Sequence, residues 1–251
     1  MTKRLTTMKH LFSTAALAFG LLFGSMQAHA SEEGGAELMK SGANVHDRAS
    51  LQRGAQLFFN YCVGCHSLKY MRYSRIAEDL NLSEKDVMKN LNFTGANFQD
   101  PIISHMPADM AATWFGKDPP DLSLEASAKS PDWIYTYLNT FYLDPHSPIG
   151  WNNTTLPNAA MPFPLWELQG MQTAEMKHGS HEVEKLALSK PGKMTPAQFQ
   201  QATRDLTAFL EYTSEPAALQ RHHYGIWVIL FLAFFTFLAY LLKSEYWKDV
   251  H

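Results

Sequence analysis

Apolar residues recur at helical spacing in three stretches in the middle of the chain and run unbroken in a fourth near its end. Asp47 can cap a helix whose positions Leu51, Phe58, Phe59 and Cys62 share one face. Ser130-Pro131 is a start signal, a capping hydroxyl and then the residue suited to the first helical position. Trp133, Ile134, Tyr137, Leu138 and Phe141 follow it at helical period. Thr195-Pro196 repeats the signal ahead of Phe199, Ala202, Leu206, Phe209 and Leu210, and Pro216 stops that helix. The proline-rich stretches 118–121 and 156–166 carry no helical period and predict loops. The pattern is mainly α, with a few helices joined by long irregular loops.

The fourth stretch, Tyr224 to Leu242, holds 19 residues without one charge. At about 1.5 Å per residue it spans close to the roughly 30 Å of bilayer hydrocarbon. Tyr224 and Trp227 lie at one boundary and Tyr240, Tyr246 and Trp247 at the other, as interfacial aromatics do. No polar stripe interrupts it, so residues 224–242 read as a single transmembrane anchor rather than a core helix. The opposite end reads as a signal peptide over residues 1–30. Lys3, Arg4 and Lys9 form the basic region, Leu11 to Phe23 the apolar one, and Ala28-His29-Ala30 the cleavage site. Residues 31–223 then form one domain outside the cytoplasm. The short tail 243–251, whose two lysines are balanced by Glu245 and Asp249, faces the cytoplasm.

Charge narrows the class of partner. The chain has 21 Lys and Arg against 24 Asp and Glu, and without its first 30 residues 18 against 24, a net charge of −6. An acidic surface argues against nucleic acid and suits a basic protein partner, although solubility alone would also favour it. The acidic Glu32, Glu33 and Glu37 read mainly as a solvated tail.

The two cysteines of the chain stand in Cys62-Val63-Gly64-Cys65-His66, the pattern of covalent c-type haem attachment. Two thiols one helical turn apart can add to the two vinyl groups of one haem edge, and the adjacent histidine then lies under the iron. A zinc site would want a second Cys/His pair, and no further cysteine exists. A thioredoxin-like dithiol would sit in a βαβ context that this stretch lacks, and a disulfide across so short a loop is uncommon. A haem also explains the loops, because the macrocycle supplies core around which they wrap. The sixth iron ligand separates an electron carrier from a ligand-binding or peroxide-active haem. Met106, before Pro107, and Met161, before Pro162-Phe163-Pro164, stand in stiff loops able to hold a thioether at the iron; His105 and His146 are bis-histidine candidates. Spacing alone leaves these open.

Longer motifs carry a resemblance. Arg53-Gly54-Ala55-Gln56 precedes the haem motif, Pro119-Pro120-Asp121-Leu122-Ser123 follows it, then Met161-Pro162-Phe163-Pro164, and Glu215-Pro216 stands just before the anchor. In these the chain resembles the cytochrome c1 family, the haem subunits of the quinol–cytochrome c oxidoreductase (bc1 complex). The resemblance implies a c-type cytochrome haem domain and one covalent haem c, held by Cys62 and Cys65 with His66 and Met161 as axial ligands. It further implies Pro120 against the haem edge, Lys129 at a propionate, where the family often has arginine, and Trp133 close by. It implies an electron relay from the Rieske iron–sulfur protein to a soluble cytochrome c, beside cytochrome b. The setting is the bacterial inner membrane, single-pass, with the haem domain in the periplasm. The alternative is a free-standing membrane-anchored c-type cytochrome serving an oxidase or reductase. The family's frequent additional cysteines are missing, so packing alone is expected to hold the haem loop.

Overall fold

The computed structural model describes residues 37–177 and 183–248; the proposed signal peptide, residues 1–30, and the last three residues of the tail lie outside them. Helix α1, Arg48–Tyr61, starts where Asp47 accepts a hydrogen bond from the Ser50 amide at 3.1 Å. After a short strand β1, Leu68–Arg72, come α2, Tyr73–Leu80, and α3, Glu84–Asn90. Strand β2, Pro101–Ile102, pairs antiparallel with β1, and α4 follows over Ala108–Phe115. Helices α5, Glu125–Lys129, and α6, Pro131–Asn139, adjoin at Ser130, whose hydroxyl caps α6 by accepting from the Trp133 amide.

The apolar period carries Phe141 into this helix, but α6 ends at Asn139. Asn139 and Thr140 turn their side chains back onto the carbonyls of Tyr135 and Thr136 (2.7 and 2.8 Å), a local competitor of helix propagation. Phe141 instead opens strand β3, Phe141–Leu143, paired with β4, Trp151–Asn153, and its fully buried ring still reaches the core. A second departure is α7, Trp166–Gln169, followed by a hairpin of β5, Gly170–Met176, and β6, Val183–Pro191. Neither strand shows clean alternation of burial, which removes the two-residue signal that predicts a strand.

Helix α8, Pro196–Ser214, opens on a full capping box. Thr195 Oγ1 accepts from the Gln198 amide, and Gln198 Oε1 accepts from the Thr195 amide at 2.9 Å. It crosses α1 in close contact at Gly54, where a Cβ would stand 2.1 Å from the Asp205 carbonyl oxygen, so the crossing requires a residue without a side chain. The same crossing carries an ion pair between a buried carboxylate and a half-exposed guanidinium. Asp205, with its side chain only 3% exposed, takes both prongs of the Arg53 guanidinium (2.6 and 2.9 Å) and the hydroxyl of Ser50 at 2.6 Å. That contact raises the Arg53 pKa further. Phe58, Phe59, Tyr73, Phe209 and Tyr212 pack into the core around this crossing.

Helix α9, Ala218–Tyr246, runs 29 residues and contains the apolar span; the most apolar 18-residue window within residues 223–246 has a mean hydropathy of 2.4 and none of it is buried against the protein. The helix extends beyond 224–242 at both ends, because a hydrophobic span sets where lipid begins and not where backbone hydrogen bonding stops. Such a helix fits a single-pass membrane anchor.

Candidate haem site

The haem motif sits at the end of α1. Cys62 is the C-cap, and the Cys65 and His66 amides both return to its carbonyl at 3.0 and 2.8 Å, so the segment coils tightly as the helix ends. This brings Cys62, Cys65 and His66 to one wall of an apolar cavity. Burial pushes the Cys62 thiol up to about 12, helped by the neighbouring Cys65, and burial raises Cys65 as well. Before attachment both are therefore protonated thiols, and they have no disulfide partner among the described residues.

The Pro119–Ser123 segment is stitched to the residues after the motif. Asp121 takes the Lys69 amide at 2.8 Å and the Ser123 amide at 3.0 Å, the Leu122 amide donates to the Ser67 carbonyl at 2.9 Å, and Ser123 Oγ takes the Tyr70 amide. This presents the Pro120 carbonyl to His66 Nδ1 at 2.8 Å. A carbonyl only accepts, so Nδ1 carries the hydrogen and the lone pair stays on Nε2. Burial holds the His66 pKa below its usual value despite that bond, which keeps the ring neutral. From the other side Ser104 donates its hydroxyl to the Gly64 carbonyl at 2.8 Å, while its amide donates to Ser67 Oγ. The haem loop is therefore tied by hydrogen bonds to two remote segments, and not by packing alone as its cysteine count suggests.

Met161 lines the same cavity with Pro162 and Pro164, and Met106 does not. Two buried asparagines on β4 build the Met161 loop. Asn153 Oδ1 takes the amides of Thr155 and Leu156 (2.8 and 3.1 Å) while its Nδ2 donates to the Tyr137 carbonyl at 2.8 Å. Asn152 Oδ1 takes the amide of Asn158, which has a left-handed φ of 60°. Phe163 then locks into the core between Phe141 (4.7 Å, stacked) and Trp151 (5.5 Å, edge-on). Asn152, Asn153 and Ser104 belong to none of the motifs in the sequence, although the paired asparagines before Thr154-Thr155 are a turn signal that marks the first two.

Pro120 and Trp133 also line the cavity. Lys129 does not; its ammonium lies 5.5 Å from the centre of the Trp133 ring, in cation–π geometry, and Lys117 is the lysine on the lining. Neither His105 nor His146 is on that lining. The cavity offers about 240 Å³ to the centre of a water-sized sphere, against roughly 10–15 Å³ for one water on that measure. Its donor set suits a haem better than a bare ion: two thiols, one imidazole with a free Nε2, one thioether and apolar walls. Among the described residues no cluster of His, Cys, Asp and Glu could hold a metal ion by itself.

Comparison with known proteins agrees with this chemistry. The Cytochrome C1 family matches residues 39–250. Cytochrome c1 of Allochromatium vinosum is 48% identical over 87% of this chain and 91% of its own. The ammonia monooxygenase gamma subunit of Nitrosomonas europaea is 40% identical over 94% of this chain and 97% of its own. Cytochrome b/c1 of Bradyrhizobium diazoefficiens is 27% identical over 94% of this chain and 39% of its own. With its attachment motif coiled against an apolar, thioether-bearing cavity and a single apolar helix behind it, the chain belongs to the cytochrome c1 family, the haem-carrying electron-transfer subunits of a membrane oxidoreductase, and binds a c-type haem covalently.

Proposed function

We propose that this chain relays electrons from a Rieske iron–sulfur protein to a soluble periplasmic cytochrome c, as the cytochrome c1 of a bc1-type quinol–cytochrome c oxidoreductase. The observation that carries the reading is that Met161 and His66, distant in sequence, line one apolar cavity with both cysteines. When bound, the haem would supply one-electron redox chemistry. Cys62 and Cys65 would hold it through their sulfurs, His66 would offer Nε2 to the iron, and Met161 would offer its sulfur. A thioether and apolar surroundings favour a raised potential and a filled coordination sphere, as electron transfer requires. Pro120 and Trp133, on the lining, would lie against the macrocycle, and Lys129, beside Trp133, would supply positive charge for a propionate. The name cytochrome b/c1 on one relative supports cytochrome b as a neighbour in the membrane.

Localisation follows from the same reading. Residues 1–30 direct export and are removed, residues 31–223 form the periplasmic haem domain, and residues 224–242 hold it to the inner membrane with 243–251 in the cytoplasm. A second reading draws on the relative named as an ammonia monooxygenase gamma subunit, in which such a chain serves a monooxygenase.

Purification in mild detergent through a tag after His251, followed by a reduced-minus-oxidised spectrum and addition of quinol, separates the two. A b-type haem signal beside the c-type one, both reduced by quinol, is expected; a c-type haem co-purifying with a monooxygenase and inert to quinol overturns the bc1 assignment. Met161→Ala tests the ligand. It is expected to convert a low-spin ferric spectrum to a high-spin one, and an unchanged spectrum refutes Met161 ligation.

A further inference from the structure

We infer that Tyr137 is a positioning residue for the second axial ligand, its hydroxyl donating a hydrogen bond to the Met161 sulfur and so setting both the placement of that thioether and its donor strength. The inference rests on Met161 being that ligand.

The hydroxyl stands 3.6 Å from Met161 Sδ, within reach of an O–H···S bond, and among the described residues it makes no other hydrogen bond. The ring that carries it is fixed on two sides. Trp133 stacks on it at 5.1 Å and 10°, and Phe141 meets it edge-on at 4.8 Å and 67°. Its backbone is held as well, since the Tyr137 carbonyl takes Asn153 Nδ2, the same asparagine that builds the Met161 loop. The hydroxyl and the sulfur are thus positioned through one shared residue.

A thioether sulfur has two lone pairs. With one occupied by the tyrosine hydrogen, the other has a defined direction, which lowers the cost of presenting it to an iron. The same bond draws electron density from the sulfur. Ferric iron depends on that density more than ferrous iron does, so the bond favours the reduced state and raises the potential. Without it the sulfur is a better donor to ferric iron but a less well-placed one. Stacked aromatics alone would fix the loop and leave the potential unchanged, so the potential separates the two roles.

The test is spectroelectrochemistry on the haem-loaded full chain in detergent. Tyr137→Phe keeps the ring and its stacking and removes only the donor. At a fixed electrode potential the ferric-to-ferrous ratio is expected to rise two- to tenfold, tenfold being ~59 mV for one electron. The sulfur-to-ferric-iron charge-transfer band should move with it. 3-Fluorotyrosine in place of Tyr137 has a more acidic hydroxyl and should shift the ratio the opposite way. It also decides the matter alone if Tyr137→Phe fails to take up haem. An unshifted potential in the variants that load haem overturns the inference. Met161→Ala distinguishes the failures. If it changes the spin state while Tyr137 variants leave the potential fixed, only the tuning role falls; if it changes nothing, the ligand assignment falls and this inference with it.

Discussion

Replacing Gly54 by alanine sets two physical effects of opposite sign against each other. Gly54 lies inside α1, where alanine is favoured over glycine by about 1 kcal/mol from backbone entropy. If that term ruled, Gly54→Ala would stabilise the protein. At the crossing with α8, however, the new methyl would lie 2.1 Å from the Asp205 carbonyl oxygen and 2.7 Å from Phe209 Cβ. Neither atom sits at the end of a flexible side chain, so the helices themselves must part by about 1 Å or more, which disturbs packing and costs about 3 kcal/mol, the upper end for overpacking. Separation also pulls on the Asp205 carboxylate, which the Arg53 and Ser50 side chains of α1 hold from across the same interface. The net loss is about 2 kcal/mol, or ~4–8 °C in midpoint for a domain of this size. The assay is thermal and urea unfolding of the haem-loaded protein in detergent, followed by far-ultraviolet dichroism and haem absorbance. Gly64→Ala is the control: a Cβ there meets nothing within 4 Å, and stability should stay within about 0.5 kcal/mol. A Gly54→Ala protein as stable as the parent, or more so, refutes the close-packed crossing.

Two further outcomes test the Met161 loop. Asn153→Ala removes four hydrogen bonds from a side chain in a residue 1% exposed and leaves the amides of Thr155 and Leu156 without their acceptor. A loss of ~2–4 kcal/mol is expected, with faster entry of imidazole to ferric haem, and unchanged ligand entry would show the loop to be held elsewhere. Asp144 accepts from Asn152 Nδ2 and from the His146 amide, and these bonds, Asn152 first, hold its pKa below the usual carboxylate value. A depressed folded pKa gives stability that is present above the unfolded value, about 3.9, and lost as pH falls through the lower folded one. Acid unfolding of Asp144→Asn should therefore lack part of the parent's pH dependence in that window; identical acid profiles would show that the contact contributes nothing.

What the sequence by itself determined is local. The helix starts at Asp47, Ser130-Pro131 and Thr195-Pro196 lie where they are read, because a cap and its helix are neighbours in the chain. The haem motif is legible for the same reason: two thiols and an imidazole within five residues carry their geometry in their spacing. The anchor is legible because lipid demands an unbroken apolar run, whatever the rest of the fold does.

Only the tertiary structure decided the rest. The end of α6 depends on the back-bonding of Asn139 and Thr140 and on strand pairing with β4, so period alone carried Phe141 too far. That the Pro120 carbonyl meets His66, that Ser104 holds the Gly64 carbonyl, and that Met161 faces the cavity while Met106 does not, follow from loops meeting across long chain separations. Hydrogen bonds between distant segments leave no periodic trace in either one, since each donor needs only a suitable acceptor in space. A cavity wall has the same property: its residues share an apolar surface and not a spacing.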